Sequence, residues 1–197
     1  MSANVQHQSS TNEAYTPPEV TEASRLTMGS INLDPFSCKA ANKVVKADRY
    51  FHRGALEKPW ANLDGSPATV FCNPPGGTLV RSTLEPSIRP DGKPGPGYSS
   101  AAVAWAYLLN EYLTGNVAQA IFVCFSLNTF QNSQKIPGCR FAPYLFPFCV
   151  PQNRLRFWCE SRPIGKGQPS QPNALIYIGE NVDAFAKHFA LIGQVRI

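Results

Sequence analysis

An α/β domain with a mainly parallel central sheet is the fold this chain predicts, and three observations predict it. The apolar run Ala68-Thr69-Val70-Phe71-Cys72 is followed by residues 100–114, where small and large apolar residues recur at helical spacing, and then by the apolar run 119–127. Strand, helix and strand in that order make a parallel pair joined by a crossover. Further on, residues 174–178 form another apolar run, 182–192 place Val182, Phe185, Phe189 and Ile192 on one helical face, and 194–197 can close the sheet. Finally, 197 residues with 43% hydrophobic and 16% charged content suffice for one domain with a core that needs no disulfides.

The elements follow in chain order. Residues 1–14 are polar, rich in Ser, Gln and Asn, and are expected to be a disordered tail. Thr16-Pro17-Pro18-Glu19 has the chemistry of a helix start, with Thr16 as cap, proline at the first helical position and an acid in the first turn. Ile31-Asn32-Leu33-Asp34 is a short β-like run ending on a carboxylate, and 37–46 can follow as a helix carrying Lys39, Lys43 and Lys46. Residues 78–99 hold four prolines and three glycines, an irregular loop that is either disordered or a lid or entry loop bearing Arg81, Arg89 and Lys93. Gly115 supplies the stop for the helix before it.

Six cysteines without a C-x-x-C pair, together with only three histidines, offer no metal-ligand spacing. Buried free thiols in a reducing cytoplasm are expected, and no metal. No apolar stretch has the length of a membrane span, and no signal-peptide core opens the chain, so no membrane partner is expected. The net charge is +5. Its informative part lies between Lys135 and Lys166, where Arg140, Arg154, Arg156 and Arg162 face the single acid Glu160 and are interleaved with Phe141, Tyr144, Phe146, Phe148, Phe157 and Trp158. Such a mixture suits a phosphate backbone and unstacked bases, although Phe148 and Phe157 serve equally as core.

The chemistry is concentrated in Asn73-Pro74-Pro75-Gly76-Gly77, directly after the first strand run. The Asn73 side-chain carbonyl and the Pro74 backbone carbonyl can each accept a hydrogen bond from one exocyclic NH2 group, and two consecutive prolines hold those acceptors still. Accepting both N–H bonds draws the nitrogen lone pair out of conjugation and aims it at an electrophile, a contribution made by prior positioning. The same five residues also make an ordinary turn. Asp34, at the end of its strand, is placed to take the hydroxyls of a ribose, or else to cap the next helix.

Taken together, Tyr15-Thr16-Pro17-Pro18, Leu33-Asp34-Pro35 with Ala41-Asn42, the 47–51 stretch, Trp60 and the strand leading into Asn73-Pro74-Pro75 resemble the phage-type DNA N6-adenine methyltransferases. Phe125-Ser126-Leu127 with Gln131 and Gln134, then the run 146–151 and Arg154-Leu155-Arg156-Phe157, extend the resemblance to nearly all of the chain beyond its tail. It implies a Rossmann-like domain that binds S-adenosylmethionine, flips an adenine out of double-stranded DNA and methylates its N6. Asn73, Pro74 and Pro75 are then the catalytic loop, and Thr16, Pro17, Asp34 and Pro35 line the cofactor site. Gly76, Gly77, Arg81, Arg154, Arg156 and Arg162 are the expected DNA contacts. A phage or prophage origin, a bacterial cytoplasm and a part in shielding DNA from restriction are implied in the same way.

Two departures from the family pattern matter. Gly76 stands where many amino-methyltransferases have a ring that stacks on the flipped base, leaving Tyr98 and Trp105 as the nearest replacements. Arg53-Gly54-Ala55-Leu56 lacks the usual acid before Gly-Leu, leaving Asp48 as substitute at the adenine end of the cofactor. The chain also has no Gly-x-Gly-x-x-Gly fingerprint, which a cofactor without pyrophosphate does not require. His188 is expected at the surface rather than in catalysis. The same acceptor pair would serve another planar amine or amide, such as a protein glutamine, and a DNA-binding relative without turnover is the third reading.

Overall fold

The computed structural model describes residues 14–79, 98–161, 164 and 172–197. A seven-stranded sheet runs through it in the order β2-β1-β3-β6-β8-β7-β9. Its strands are β1 (Leu33–Asp34), β2 (Arg49–Tyr50), β3 (Ala68–Cys72), β6 (Val117–Cys124), β7 (Phe148–Pro151), β8 (Ala174–Ile178) and β9 (Gly193–Arg196). Pairing is parallel from β2 through β6, and antiparallel from β6 through β8 and β7 to β9. The fold is therefore α/β with a mixed sheet. The parallel half coincides with the strand–helix–strand signal, because α3 (Ser100–Leu113) carries the chain from the end of β3 back to the start of β6.

Alternation along the central strands sorts the helices onto two faces. Phe71, Ile121, Val123, Leu175 and Tyr177 point to one side, where α1 (Pro18–Met28), α2 (Lys39–Val45) and α5 (Val182–Phe189) cover them through Val20, Val45, Phe185 and Phe189. Val70, Cys72, Ala120, Phe122 and Ile176 point to the other, against Ala104, Trp105 and Leu108 of α3. Burying each large apolar side chain contributes roughly 2 kcal/mol, so both faces are needed to hold a sheet whose first two strands have only two residues each. No helix among the described residues is long and apolar enough to cross a membrane. None of the six cysteines is joined in a disulfide among the described residues, and Cys72, Cys124, Cys149 and Cys159 are buried.

Several local expectations change on the folded chain. The cap of α1 is Pro17, not Thr16, and no side chain bonds the first helical amides; Pro18 occupies the first turn, where a missing N–H costs nothing. The helix expected over 37–46 narrows to α2, because the Cys38 thiol accepts from the Ala41 amide at its start and Lys46 turns left-handed at φ 54° at its end. Asn42 closes that turn from both sides, its Oδ1 accepting from the Ala47 amide at 2.9 Å and its Nδ2 donating to the Ala47 carbonyl at 3.1 Å. The Ala41-Asn42 pair thus has a structural task. The ends of the Pro/Gly-rich loop zip together as a ribbon of β4 (Thr78–Leu79) and β5 (Tyr98–Ser99), while positions 80–97 lie outside the described residues.

Candidate active site

Adjacent parallel strands end at neighbouring points, and this brings Asp34 and Asn73 to one edge of the sheet. Leu33 pairs with Val70, so β1 delivers Asp34 beside Phe71 and Cys72, and β3 delivers Asn73 immediately beyond. The region outside the carboxyl ends of parallel strands is where open α/β sheets hold ligands.

Asn73 is half-buried, Pro74 is buried, and Pro75, Gly76 and Gly77 are exposed. The Asn73 Nδ2 donates to the Ala14 carbonyl at 2.8 Å. A backbone carbonyl can only accept, so this contact fixes which end of the carboxamide faces the arm and leaves Oδ1 as the acceptor on the other side. Gly77, at φ 92°, needs the freedom of glycine, and its carbonyl accepts from the Ser100 amide at the start of α3. Gly76 does not: a Cβ added there would meet nothing within 4 Å.

Ala14 is not part of a loose tail. Tyr15 and Trp158 exchange backbone hydrogen bonds at 2.7 and 3.0 Å, their rings meet edge to face at 5.0 Å, and the Trp158 indole N–H donates to the Thr16 carbonyl at 3.0 Å. The Cys38 thiol donates to the Tyr15 phenol at 3.2 Å, which brings the same arm onto the start of α2. The arm, the β1 turn and the β3 loop therefore converge on one place. Trp158 and Thr16 are 142 residues apart, and no periodicity in the sequence links them.

Asp34 is 2% exposed. Burial pushes its carboxyl up to about 7, opposed by the Phe36 amide, which donates to its Oδ1 at 3.1 Å, and more weakly by the nearby Ser37 hydroxyl. The Cys38 sulfur occupies the capping position of α2, so Asp34 is not the cap of that helix. One hydroxyl in these segments, Thr16 Oγ1, is buried with no hydrogen-bond partner among the described residues, at a cost of about 1–3 kcal/mol, while the Ser37 hydroxyl acts on Asp34. Pro17 and Pro35 are buried beside them and stiffen the two turns.

Comparison with family models, with curated proteins and with solved structures gave no match.

The remaining sequence-derived residues divide. Asp48 precedes β2, at the opposite end of that strand from the candidate site, and accepts from the Asn32 side chain at 3.0 Å; it cannot stand in for an acid at the cofactor's adenine end. Trp105 is fully buried with its N–H on the Phe141 carbonyl, which removes it as a stacking ring, whereas Tyr98 is half-buried on the ribbon next to Gly77. Phe157 is core and Phe148 is half-buried. Arg154 and Arg156 line a groove of about 420 Å³ with Glu19, Glu22, Leu26 and His188, alongside α1 rather than over Asn73. Arg81 and Arg162 lie outside the described residues.

Sequence reasoning missed the Ala14 carbonyl, the Trp158 clasp and the action of the Ser37 hydroxyl on Asp34. Only the Tyr15-Thr16-Pro17-Pro18 motif hinted at them.

Proposed function

We propose that this chain is a DNA N6-adenine methyltransferase with a Rossmann-like methyltransferase fold. The observation that supports the reading is the Asn73–Ala14 hydrogen bond, which engages the Asn73 Nδ2 and leaves its Oδ1 as an acceptor, at the carboxyl end of a strand in the parallel half of the sheet and next in sequence to Pro74. S-adenosylmethionine, when bound, supplies an electrophilic methyl group on a sulfonium sulfur.

The chain's own residues account for the rest. Asn73 Oδ1 and the Pro74 carbonyl accept the two N–H bonds of the target amine and turn its lone pair toward the methyl group. Because both acceptors are neutral and already placed, they require no reorganisation when charge develops on nitrogen. The extra proton of the methylated amine leaves to water, and no strong base is needed. Asp34 takes hydroxyls of the cofactor, and the unpartnered Thr16 hydroxyl in the neighbouring segment is a second polar group for it. Adenine N6 is paired inside the duplex, so the base must leave the stack to reach Asn73.

Incubation with isotopically labelled S-adenosylmethionine and unmethylated duplex DNA, followed by digestion and mass spectrometry, tests the reading. Label on adenine N6 is expected. A second reading is favoured by the missing ring at Gly76: an amide such as protein glutamine would need no base stacking. Label that stays off DNA and appears on a protein side-chain amide would establish it.

A further inference from the structure

Two surfaces differ in charge although both come from the basic part of the sequence. On the α1 side, Arg154 and Arg156 share their groove with Glu19 and Glu22. On the α3 side, the chain leaves β6 and builds a lobe from α4 (Asn128–Asn132), two short 3-10 turns and the segment between them. No Asp or Glu occurs between Glu111 and Glu160. Lys135 and Arg140 are exposed on the lobe, and among the described residues neither has a carboxylate partner.

The lobe also exposes large apolar side chains: Leu127 at 36%, Phe141 at 43%, Tyr144 at 39% and Leu145 at 60%. They are not loose. Tyr144 packs on Phe130 with centroids 5.9 Å apart, Phe141 on Phe146 at 6.5 Å, and Phe146 on the buried Trp105 at 5.4 Å, whose N–H holds the Phe141 carbonyl at 2.8 Å. Such a platform keeps rings exposed at little cost in side-chain entropy, and clustered exposed apolar groups mark contact surfaces. The α4 helix packs against β5, the ribbon strand hydrogen-bonded beside Gly77, so the platform continues from the rim of the catalytic loop.

We infer that this lobe, centred on Lys135, Arg140, Phe141, Tyr144 and Leu145, is the main DNA-docking surface: the cations meet phosphates and the exposed rings and leucine meet bases opened next to the target. The inference rests on the proposed methyltransferase reading and deepens it by assigning the DNA to the α3 side rather than to the Arg154–Arg156 groove. Uncompensated cations release counterions from the duplex, whereas cations opposite glutamates have part of their field cancelled. Stacking on exposed rings supplies roughly 1–3 kcal/mol per base and needs no particular sequence, which suits a site whose loop lacks its own ring at Gly76.

Fluorescence anisotropy with a labelled, unmethylated DNA duplex tests this without turnover, using the full chain. The Lys135→Ala/Arg140→Ala and Tyr144→Ala/Leu145→Ala doubles are expected to weaken binding about 10-fold or more. The charge double also flattens the dependence of log K on log salt by about 2, while the apolar double leaves that slope unchanged. S-adenosylmethionine affinity stays at the wild-type value in both, and the thermal midpoint stays there in the charge double, whose side chains are exposed, while the apolar double loses the Tyr144–Phe130 contact and is assayed below its own midpoint; Lys135→Gln and Arg140→Gln as single variants repeat the test if a double fails to fold. Wild-type DNA affinity in the lobe variants, with loss in Arg154→Ala/Arg156→Ala, overturns the inference and leaves the methyltransferase reading standing. A wild-type protein with no affinity for the duplex overturns both.

Discussion

Asn73 and Asp34 stand at the ends of neighbouring strands, yet the chain holds them by opposite means. Asp34 is nearly inaccessible, and burial lifts its carboxyl to about 7. Asn73 is half-buried, neutral, and oriented by one hydrogen bond from an arm that Trp158 clasps. The difference teaches that the two ends of the proposed site answer to different perturbations: the Asp34 end to charge and pH, the Asn73 end to geometry.

The sharpest test of that contrast is Asn73→Ala. Loss of an acceptor placed for the transition state costs about 10²–10³ in kcat, and S-adenosylmethionine affinity is expected to stay unchanged, as read by single-turnover kinetics and calorimetry. A fully active variant would remove Asn73 from the mechanism.

Asp34→Asn should do the reverse, weakening cofactor affinity about 10-fold at pH 8, the scale of a hydrogen bond to a charged group, with a smaller change in the chemical step. Wild-type affinity should rise from pH 6 to pH 8 as the carboxyl ionises through about 7, and the asparagine variant should lose that rise. Stability carries the opposite sign. A carboxyl with an ordinary value near 3.8 and a folded value near 7 binds its proton more tightly when folded, so the folded state loses stability as pH rises between those values. Asp34→Asn should flatten that part of the pH–stability curve in chemical denaturation. A curve of unchanged slope would show that the carboxyl is not held in the folded chain as described.

Trp158→Phe keeps the ring and removes the N–H that holds the Thr16 carbonyl. A single neutral hydrogen bond contributes about 1 kcal/mol, so kcat should fall about 5-fold through misorientation of Asn73 while cofactor affinity holds. Equal losses in kcat and cofactor affinity would mean that the arm serves both ends alike.

The smallest effect is a gain. Gly76 has open space around it, so Gly76→Tyr can restore the stacking ring, and a few-fold drop in the KM for DNA is expected. Gly77→Tyr, by contrast, would force a side chain into φ 92° and should disturb the loop.

What was legible in the sequence was local. The β3–α3–β6 unit, the strand Ala174–Ile178 and the apolar face of α5 follow from period-2 and period-3.6 patterns that need no partner to recognise. The turn at Asn73-Pro74-Pro75 was legible as well, because proline fixes a backbone by covalent structure alone. Thr16 was misassigned as a cap because cap chemistry depends on where the first helical turn begins, and Pro17 and Pro18 set that point one residue later. Asp48 was misplaced because a sequence gives a residue's distance from a strand but not which end of the sheet that strand presents. The antiparallel half of the sheet depended on the pairing order of β7, β8 and β9, which alternation does not encode.

By itself, then, the sequence determined the core strands and helices, the proline-stiffened turn after β3 and the absence of acids between Glu111 and Glu160. Only the tertiary structure decided that Ala14 orients Asn73, that Asp34 is buried enough to titrate near neutrality, and that Arg154 and Arg156 share their groove with glutamates while Lys135 and Arg140 do not. The physical reason is range. Propensity and periodicity act over a few residues, whereas desolvation, charge compensation and a hydrogen bond across the chain depend on which distant segments the packing of two sheet faces brings together.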